Sequence, residues 1–319
     1  MAKWRYTRGL HDLGGGLWAW LQPDGGWGWS NAGLVTSDGE ALLVDTLMGV
    51  NLTREMLAAM ARATPAAREI GRLVNTHSNI DHTLGNQLLA RAEIIAARET
   101  AEEIAKTNPA ELADAALWES RGEAGHFFLE TMGRAFDFTG VTVTAPNRTF
   151  EHELTVEVGA KTVRLTNLGP AHTEADTIVY VPADKTVFTG DLLFNEGHPI
   201  VWNGPIANWI AACDHIVGLD VETVVPGHGA ITDKRAVANL KGYFEFVMAE
   251  SKRRLDAGMG WEEAANDIAL DGFRGWGESE RICANVRAAY RDLGADLRGG
   301  GGAGGVFGAM QRYRLAHAH

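Results

Sequence analysis

Short apolar runs, broken by Gly-, Asp- and Pro-rich turns, recur in two blocks along this chain, and that recurrence restricts its fold more than any other feature. In the first block G-L-W-A-W-L-Q (16–22) runs into P-D-G-G (23–26), N-A-G-L-V-T-S (31–37) into D-G (38–39), and then comes A-L-L-V-D (41–45). Runs of this length between such turns predict hairpins. The pattern next predicts a helix over 51–62, a strand at R-L-V-N-T (72–76), and helix, strand and helix at 85–90, 92–96 and 98–106. An Ala/Glu/Leu-rich stretch at 109–138 predicts a helical insertion. The β pattern then restarts with L-T-V-E-V (154–158), K-T-V-R-L-T-N-L (161–168), D-T-I-V-Y-V (176–181) and T-V-F-T (186–189). A helix over 206–218, a strand at E-T-V-V-P (222–226) and mostly helix from about 232 complete the pattern. Strands followed by helices, twice over, suit two sheets packed together with helices outside.

A chain of 319 residues with 45% apolar residues can bury a substantial core, as one large domain or two small ones. The net charge of −12 and the lack of any Lys/Arg-rich run argue against nucleic-acid or anionic-membrane partners. Cys213 and Cys283 are far apart and form no CxxC, so a disulfide framework is not expected and a reducing cytoplasm fits. The opening M-A-K-W-R-Y-T-R-G-L lacks the apolar core of a signal peptide. No apolar run reaches the roughly 18 residues of a spanning helix. The expectation is a cytoplasmic protein with a small-molecule substrate. The run G-G-G-G-A-G-G (299–305) reads as a flexible linker, so 299–319 is expected to be linker and tail. Docking of that tail on a partner subunit keeps a homo-oligomer open, and His317 and His319 are weak ligand candidates.

Four separated stretches carry metal-type ligands on loops directly after predicted strands. They are T-H-S-N-I-D-H (76–82) with His77, Asp81 and His82, G-P-A-H-T with His172, F-T-G-D with Asp191, and V-P-G-H-G with His228. Strand ends are rigid, and loops leaving them can aim side chains at one point. Histidine and carboxylate in this proportion suit zinc, and also iron or manganese. Each stretch has a plainer reading alone: His172 as a hydrogen-bonded loop residue, Asp191 as a cap or turn residue, P-G-H-G as a turn. Their joint occurrence in this order makes coincidence improbable.

The order H-x-x-x-D-H, later His, G-D and G-H-G resembles the metallo-β-lactamase-fold hydrolases, from about Gly14 to about Thr232. The N-terminal hairpins, L-L-V-D-T (42–46) leading into a helix, and the T-G-D strand end match as well. The resemblance implies an α/β fold, an αββα sandwich of two mixed β-sheets with helices on both outer faces. It would form a single domain over 1–298, with the insertion at 109–138. Carried over residue by residue, it puts His77 and His172 at a first metal site, Asp81, His82 and His228 at a second, and Asp191 between them. Asn79 departs from the pattern, since most of the family has a histidine there. With T-H-x-N-x-D-H-x-x-G-N-Q, Q-P-D-G-G-W (22–27) and F-T-G-D-L-L-F-N (188–195), the chain is similar to a subgroup that includes bacterial aromatic-polyketide cyclases, some with thioesterase activity.

The resemblance thus implies a metal-dependent hydrolase holding one or two Zn2+ ions, the second site the more secure, with iron or manganese open. A metal lowers the pKa of bound water to about 7 and polarises a carbonyl, and the same Lewis acid can stabilise the enolate of an aldol cyclisation. Hydrolysis of an ester or thioester and polyketide cyclisation therefore need similar hardware. Asp81 and Asn79 are the catalytic candidates. Asp81 would orient or deprotonate water. Asn79 could ligate weakly, leave the first site under-occupied, or donate through its NH2. Gly85 and Asn86 would shape the helix start after His82. Asn195, His198 and Trp202, which follow Asp191, and Trp27 and Trp29 are substrate-pocket candidates. Phe127, Phe128, Met132 and Phe136 recur near every fourth position, as a buried face or as a lid over an apolar substrate. The alternatives are a lactonase or β-lactamase-like amide hydrolase, a redox enzyme, and a non-catalytic binding scaffold. Six intact candidate ligands argue against the scaffold.

Overall fold

The computed structural model describes residues 4–23, 26–297 and 302–317. Seven strands form the first sheet in sequence order: β1 (Gly9–Gly14), β2 (Leu17–Leu21), β3 (Ala32–Ser37), β4 (Glu40–Val44), β5 (Arg72–Val74), β6 (Glu93–Ala97) and β7 (Arg148–Phe150). Its first four strands pair antiparallel and its last four parallel, so it is mixed. The second sheet holds β8 (Glu153–Val158), β9 (Lys161–Asn167), β10 (Thr177–Val181), β11 (Thr186–Phe188) and β12 (Thr223–Val225), in the order β12-β11-β10-β9-β8. It is antiparallel except between β11 and β12.

The two-residue period of a strand sorts these side chains into layers. Leu42 and Val44 of β4 face between the sheets, where they join Val35, Val74, Ile95, Val163, Leu165, Val179 and Val181. The alternate residue Leu43, with Leu34, Leu73 and Ile94, faces outward onto Met56 and Met60 of α1 (Val50–Ala63). Sheet two repeats the division: Ile178, Tyr180, Val187 and Val224 turn away from sheet one, toward Trp209, Cys213 and Ile216 of α7 (Ile206–Gly218) and Leu240 and Phe244 of α8 (Lys234–Asp256). The second helix, α2 (Ile80–Thr83), is one turn long. Both strand faces are therefore apolar, as strands buried on two sides require. The result is the αββα sandwich.

Between β6 and β7 the chain makes α3 (Arg98–Ile104), α4 (Pro109–Ala113), α5 (Ala115–Glu119), α6 (Glu123–Phe128) and a π turn over Leu129–Gly133. From α4 to the π turn these helices fall within the 109–138 stretch expected to be helical. Phe127, Phe128, Met132 and Phe136 are all buried in it. After α8 come α9 (Trp261–Asp267) and α10 (Ile282–Asp292).

The flexible tail expected from the glycine run is corrected over Gly302–Ala316, which forms an eleventh helix, α11, packed on α6 and α10. Val306, Ala309, Met310 and Tyr313 recur at one-turn spacing and are all buried. Arg312 pairs with Glu123 and Glu262, and Gln311 donates to Glu130, which fastens the polar flank. Residues 299–301 and His319 lie outside the described residues, and His317 rests on Tyr313 at the end of the helix. No helix among the described residues is long and apolar enough to cross a membrane.

Candidate metal centre

All six candidate ligands leave strand ends and meet in one place. His77, Asp81 and His82 lie on the loop and short helix after β5, His172 on the turn after β9, Asp191 after β11 and His228 after β12. The loops are joined to one another. Gly227 N–H donates to Gly190 O at 2.8 Å, Asn195 N–H to His228 O at 2.9 Å, and Thr177 N–H to Thr76 O at 2.8 Å. Glycine is required where they touch. A Cβ on Gly227 would stand 2.0 Å from Asp191 Oδ1, and one on Gly190 (φ 51°) 2.4 Å from Thr76 Oγ1.

Four imidazole Nε2 atoms and two carboxylates converge there. Asp191 lies 3.1 Å from His82, 3.3 Å from His172, 3.3 Å from His228 and 3.6 Å from His77. Asp81 lies 3.3 Å from His228 and 3.8 Å from His82. The ligand atoms of His77, His172 and Asp191 form one compact group, and those of Asp81, His82 and His228 another. Each ring is held from behind by its other nitrogen. His172 Nδ1 lies 2.7 Å from Ile200 O and His228 Nδ1 3.1 Å from Trp29 O. Carbonyls only accept, so these Nδ1 atoms carry the proton and each Nε2 bears a lone pair, that of His172 accepting from the Asn79 amide N–H. Asp45 Oδ2 lies 3.0 Å from His82 Nδ1 and accepts the Thr76 hydroxyl at 2.7 Å, and Thr76 Oγ1 in turn lies 2.9 Å from His77 Nδ1. One buried carboxylate thus orients two imidazoles.

Buried polar atoms are ordinarily hydrogen-bonded, yet His77 Nε2, His82 Nε2 and Asp191 Oδ1 are buried here without a partner. The 3.1 Å approach of His82 to Asp191 is off the line of a hydrogen bond. Inward lone pairs beside two carboxylates fit a divalent cation. The charges tell the same story. Burial opposes ionisation of Asp81, but His82 and His228 outweigh it and bring the carboxyl to about 2. Burial also opposes charge on His228, yet Asp191 and Asp81 hold it up at about 9, and they raise His82 too. His77 is pushed down by burial. The carboxylates draw positive charge to this point, and a divalent ion satisfies that demand without protons.

Asn79 stands beside this cluster, its Nδ2 2.8 Å from His172 Nε2. Asn79, Asp81, His172, Asp191 and His228 line one end of a cavity of about 480 Å³. Trp27 and Trp202 line the same cavity. Trp29 and Asn195 line a smaller one of about 130 Å³ next to it, which shares Phe194, His228 and Arg281 with the first. His198 lines neither, which corrects its reading as a pocket residue. Its N–H donates to Gly277 O and its carbonyl accepts from Arg281, and these bonds turn the ring into the core against Tyr243 and Trp276. The sequence reading passed over Asp45, Asp176 and Phe307. Asp45 was visible only as the strand end of L-L-V-D-T. Asp176 accepts from the N–H groups of Ala171 and Thr173 and so holds the His172 turn. Phe307 comes from α11 and lines the cavity.

Two packed mixed sheets with a His/Asp cluster at their strand ends define a hydrolase-type fold with a candidate divalent-metal centre. Residues 25–228 match the Metallo-beta-lactamase superfamily, and the chain belongs to it. It is 24% identical over 197 residues to the 2,4-dinitroanisole O-demethylase subunit alpha of Nocardioides sp. (strain JS1661), a match covering 61% of this chain and about half (51%) of that one. Among solved structures, the stereoselective inverting sec-alkylsulfatase Pisa1 from Pseudomonas sp. is 18% identical at a TM-score of 0.68, covering 92% of this chain and 51% of its own. The metallo-beta-lactamase from Pontibacter korlensis is 19% identical at a TM-score of 0.56, over 73% of this chain and 98% of its own. These likenesses speak for the fold.

Proposed function

We propose that this protein is a metal-dependent hydrolase acting on an ester, thioester or related carbonyl compound. The observation that carries the proposal is the convergence of four inward Nε2 atoms and two carboxylates on one end of an apolar cavity. His77 and His172 would hold one ion, Asp81, His82 and His228 another, with Asp191 between them. A bound divalent ion, zinc by its donor set, supplies an acidified water and a polarised substrate oxygen. Asp81, ionised down to about pH 2, stands at the cavity end and can orient that water and accept its proton. Asn79 offers an amide beside His172 for a developing oxygen. Trp27, Trp202 and Phe307 wall the cavity and exclude bulk water.

The Asn79–His172 contact favours the Asp81, His82 and His228 group as the tighter of the two. Cyclisation of an aromatic polyketide is the second reading, and the ring-lined cavity favours it. The relatives named above act, by their names, on a nitroaryl methyl ether and on secondary alkyl sulfates, so a test panel includes both beside aryl esters and thioesters. The expected result is metal-dependent turnover of an ester or thioester, lost about 10²-fold or more in Asp81→Ala. Full metal content and full turnover in His228→Ala would overturn the reading.

A further inference from the structure

We infer that the substrate carries a flat, apolar ring system, and that Phe307 on α11 selects for it; the inference rests on the hydrolase reading for its reacting group. The cavity of about 480 Å³ falls within the range that encloses a small organic ligand and exceeds what a short aliphatic ester fills. Five rings line it beyond the metal end, Trp27, Trp118, Phe128, Trp202 and Phe307, beside the aliphatic Ile80, Leu112, Met132 and Ile200. Three of the rings form a corner from distant parts of the chain. Phe307 stands edge-on to Trp27 at 6.3 Å and to Trp202 at 5.7 Å, and Trp27 lies 6.4 Å from Trp202.

The cation nearest that corner is already engaged. The Arg281 guanidinium lies 4.4 Å from the Trp27 ring and 5.1 Å from Phe194, and it donates to His198 O. At this corner the wall offered to a substrate is therefore ring face and ring edge, while Ser78, Glu103, Lys106 and Thr107 give another part of the cavity a polar lining. A flat ring can meet such a corner edge-to-face, whereas a narrow alkyl chain leaves contact unmade along it. Phe307 is set for this role. Val306 and Met310 bury their side chains and anchor the helix, while Phe307 stays half-buried, braced on Phe127 at 5.4 Å and turned to the cavity. Among the described residues it is the one α11 side chain lining the cavity.

The test pairs wild type with Phe307→Ala and Phe307→Tyr, two readouts and a metal assay. Binding of 2-naphthol and of n-octanol is followed by tryptophan fluorescence, which needs no turnover. Hydrolysis of 2-naphthyl acetate and of ethyl acetate gives kcat and KM. Wild type is expected to prefer 2-naphthol to n-octanol. Phe307→Ala is expected to weaken 2-naphthol binding and raise the naphthyl-ester KM by about tenfold at nearly constant kcat. Phe307→Tyr is expected to restore both, with metal content unchanged in each variant. Equal 2-naphthol affinity in wild type and Phe307→Ala, or equal affinity of wild type for the two alcohols, would overturn the inference. Ring-selective binding without turnover of either ester would count against hydrolysis and leave the ring pocket standing.

Discussion

Asp45 is the residue on which the centre's geometry turns. It sits at φ 61°, a left-handed conformation few non-glycine residues adopt, and it is buried beside His82 and Thr76. Asp45→Asn keeps the shape and removes the charge, so metal affinity is expected to fall about 10- to 100-fold, read by competition with a chelating dye. Asn79→His is expected to bring the number of tightly held ions per chain toward two, measured by elemental analysis. Two equal ions already present in wild type would contradict the ranking of the sites. His198 gives a pH test away from the cluster. Burial, then the charge of Arg281, lowers it from 6.5 to about 4, with the Phe273 backbone offsetting part. The unfolded chain therefore takes the proton first. Stability is full above pH 6.5 and falls as pH drops toward 4, by up to about 3 kcal/mol. His198→Gln is expected to flatten that part of a pH series of urea midpoints. At this scale the sequence showed the six candidate ligands, because each stands in a short pattern after a strand. It could not show Asp45 as a partner of His82, a contact made only when the β4 and β5 ends lie side by side.

Elements were legible wherever apolar runs were long enough. The strands through 17–21, 32–37, 153–158 and 177–181 and the helix over 206–218 fall where the pattern puts them. β1, with its G-L-H-D-L-G sequence, and the three-residue β7 carry too little apolar pattern to be read, and both lie at sheet edges. In α11 the glycine content masked a one-turn apolar repeat, because packing against α6 outweighs the low helix propensity of glycine. Met310, fully buried there, tests this. Met310→Ala is expected to cost about 2–5 kcal/mol in urea unfolding, or to expose the tail to limited proteolysis if α11 releases by itself.

On the scale of the whole molecule, the cluster joins both sheets. His77, Asp81 and His82 come from sheet one and His172, Asp191 and His228 from sheet two. An ion held by both layers acts as a clamp, and its removal is expected to loosen the packing between them. At free metal about a thousandfold above Kd the linkage is worth about 4 kcal/mol, and chelation is expected to lower Tm by on the order of 10 °C. The two-layer architecture was legible from the twofold recurrence of strands and helices. The ring corner was legible only in part: Trp27 and Trp202 stood among the pocket candidates, but Phe307 did not, because nothing in the linear pattern connects the glycine-rich end of the chain with them. Asp45 has one more consequence at this scale. It steadies His82 directly and His77 through Thr76, and these rings belong to different halves of the cluster. One ring of each half hangs on this single mooring, while His172 and His228 are held elsewhere, so a fault at Asp45 is a common-mode failure that loosens one ligand of both halves at once.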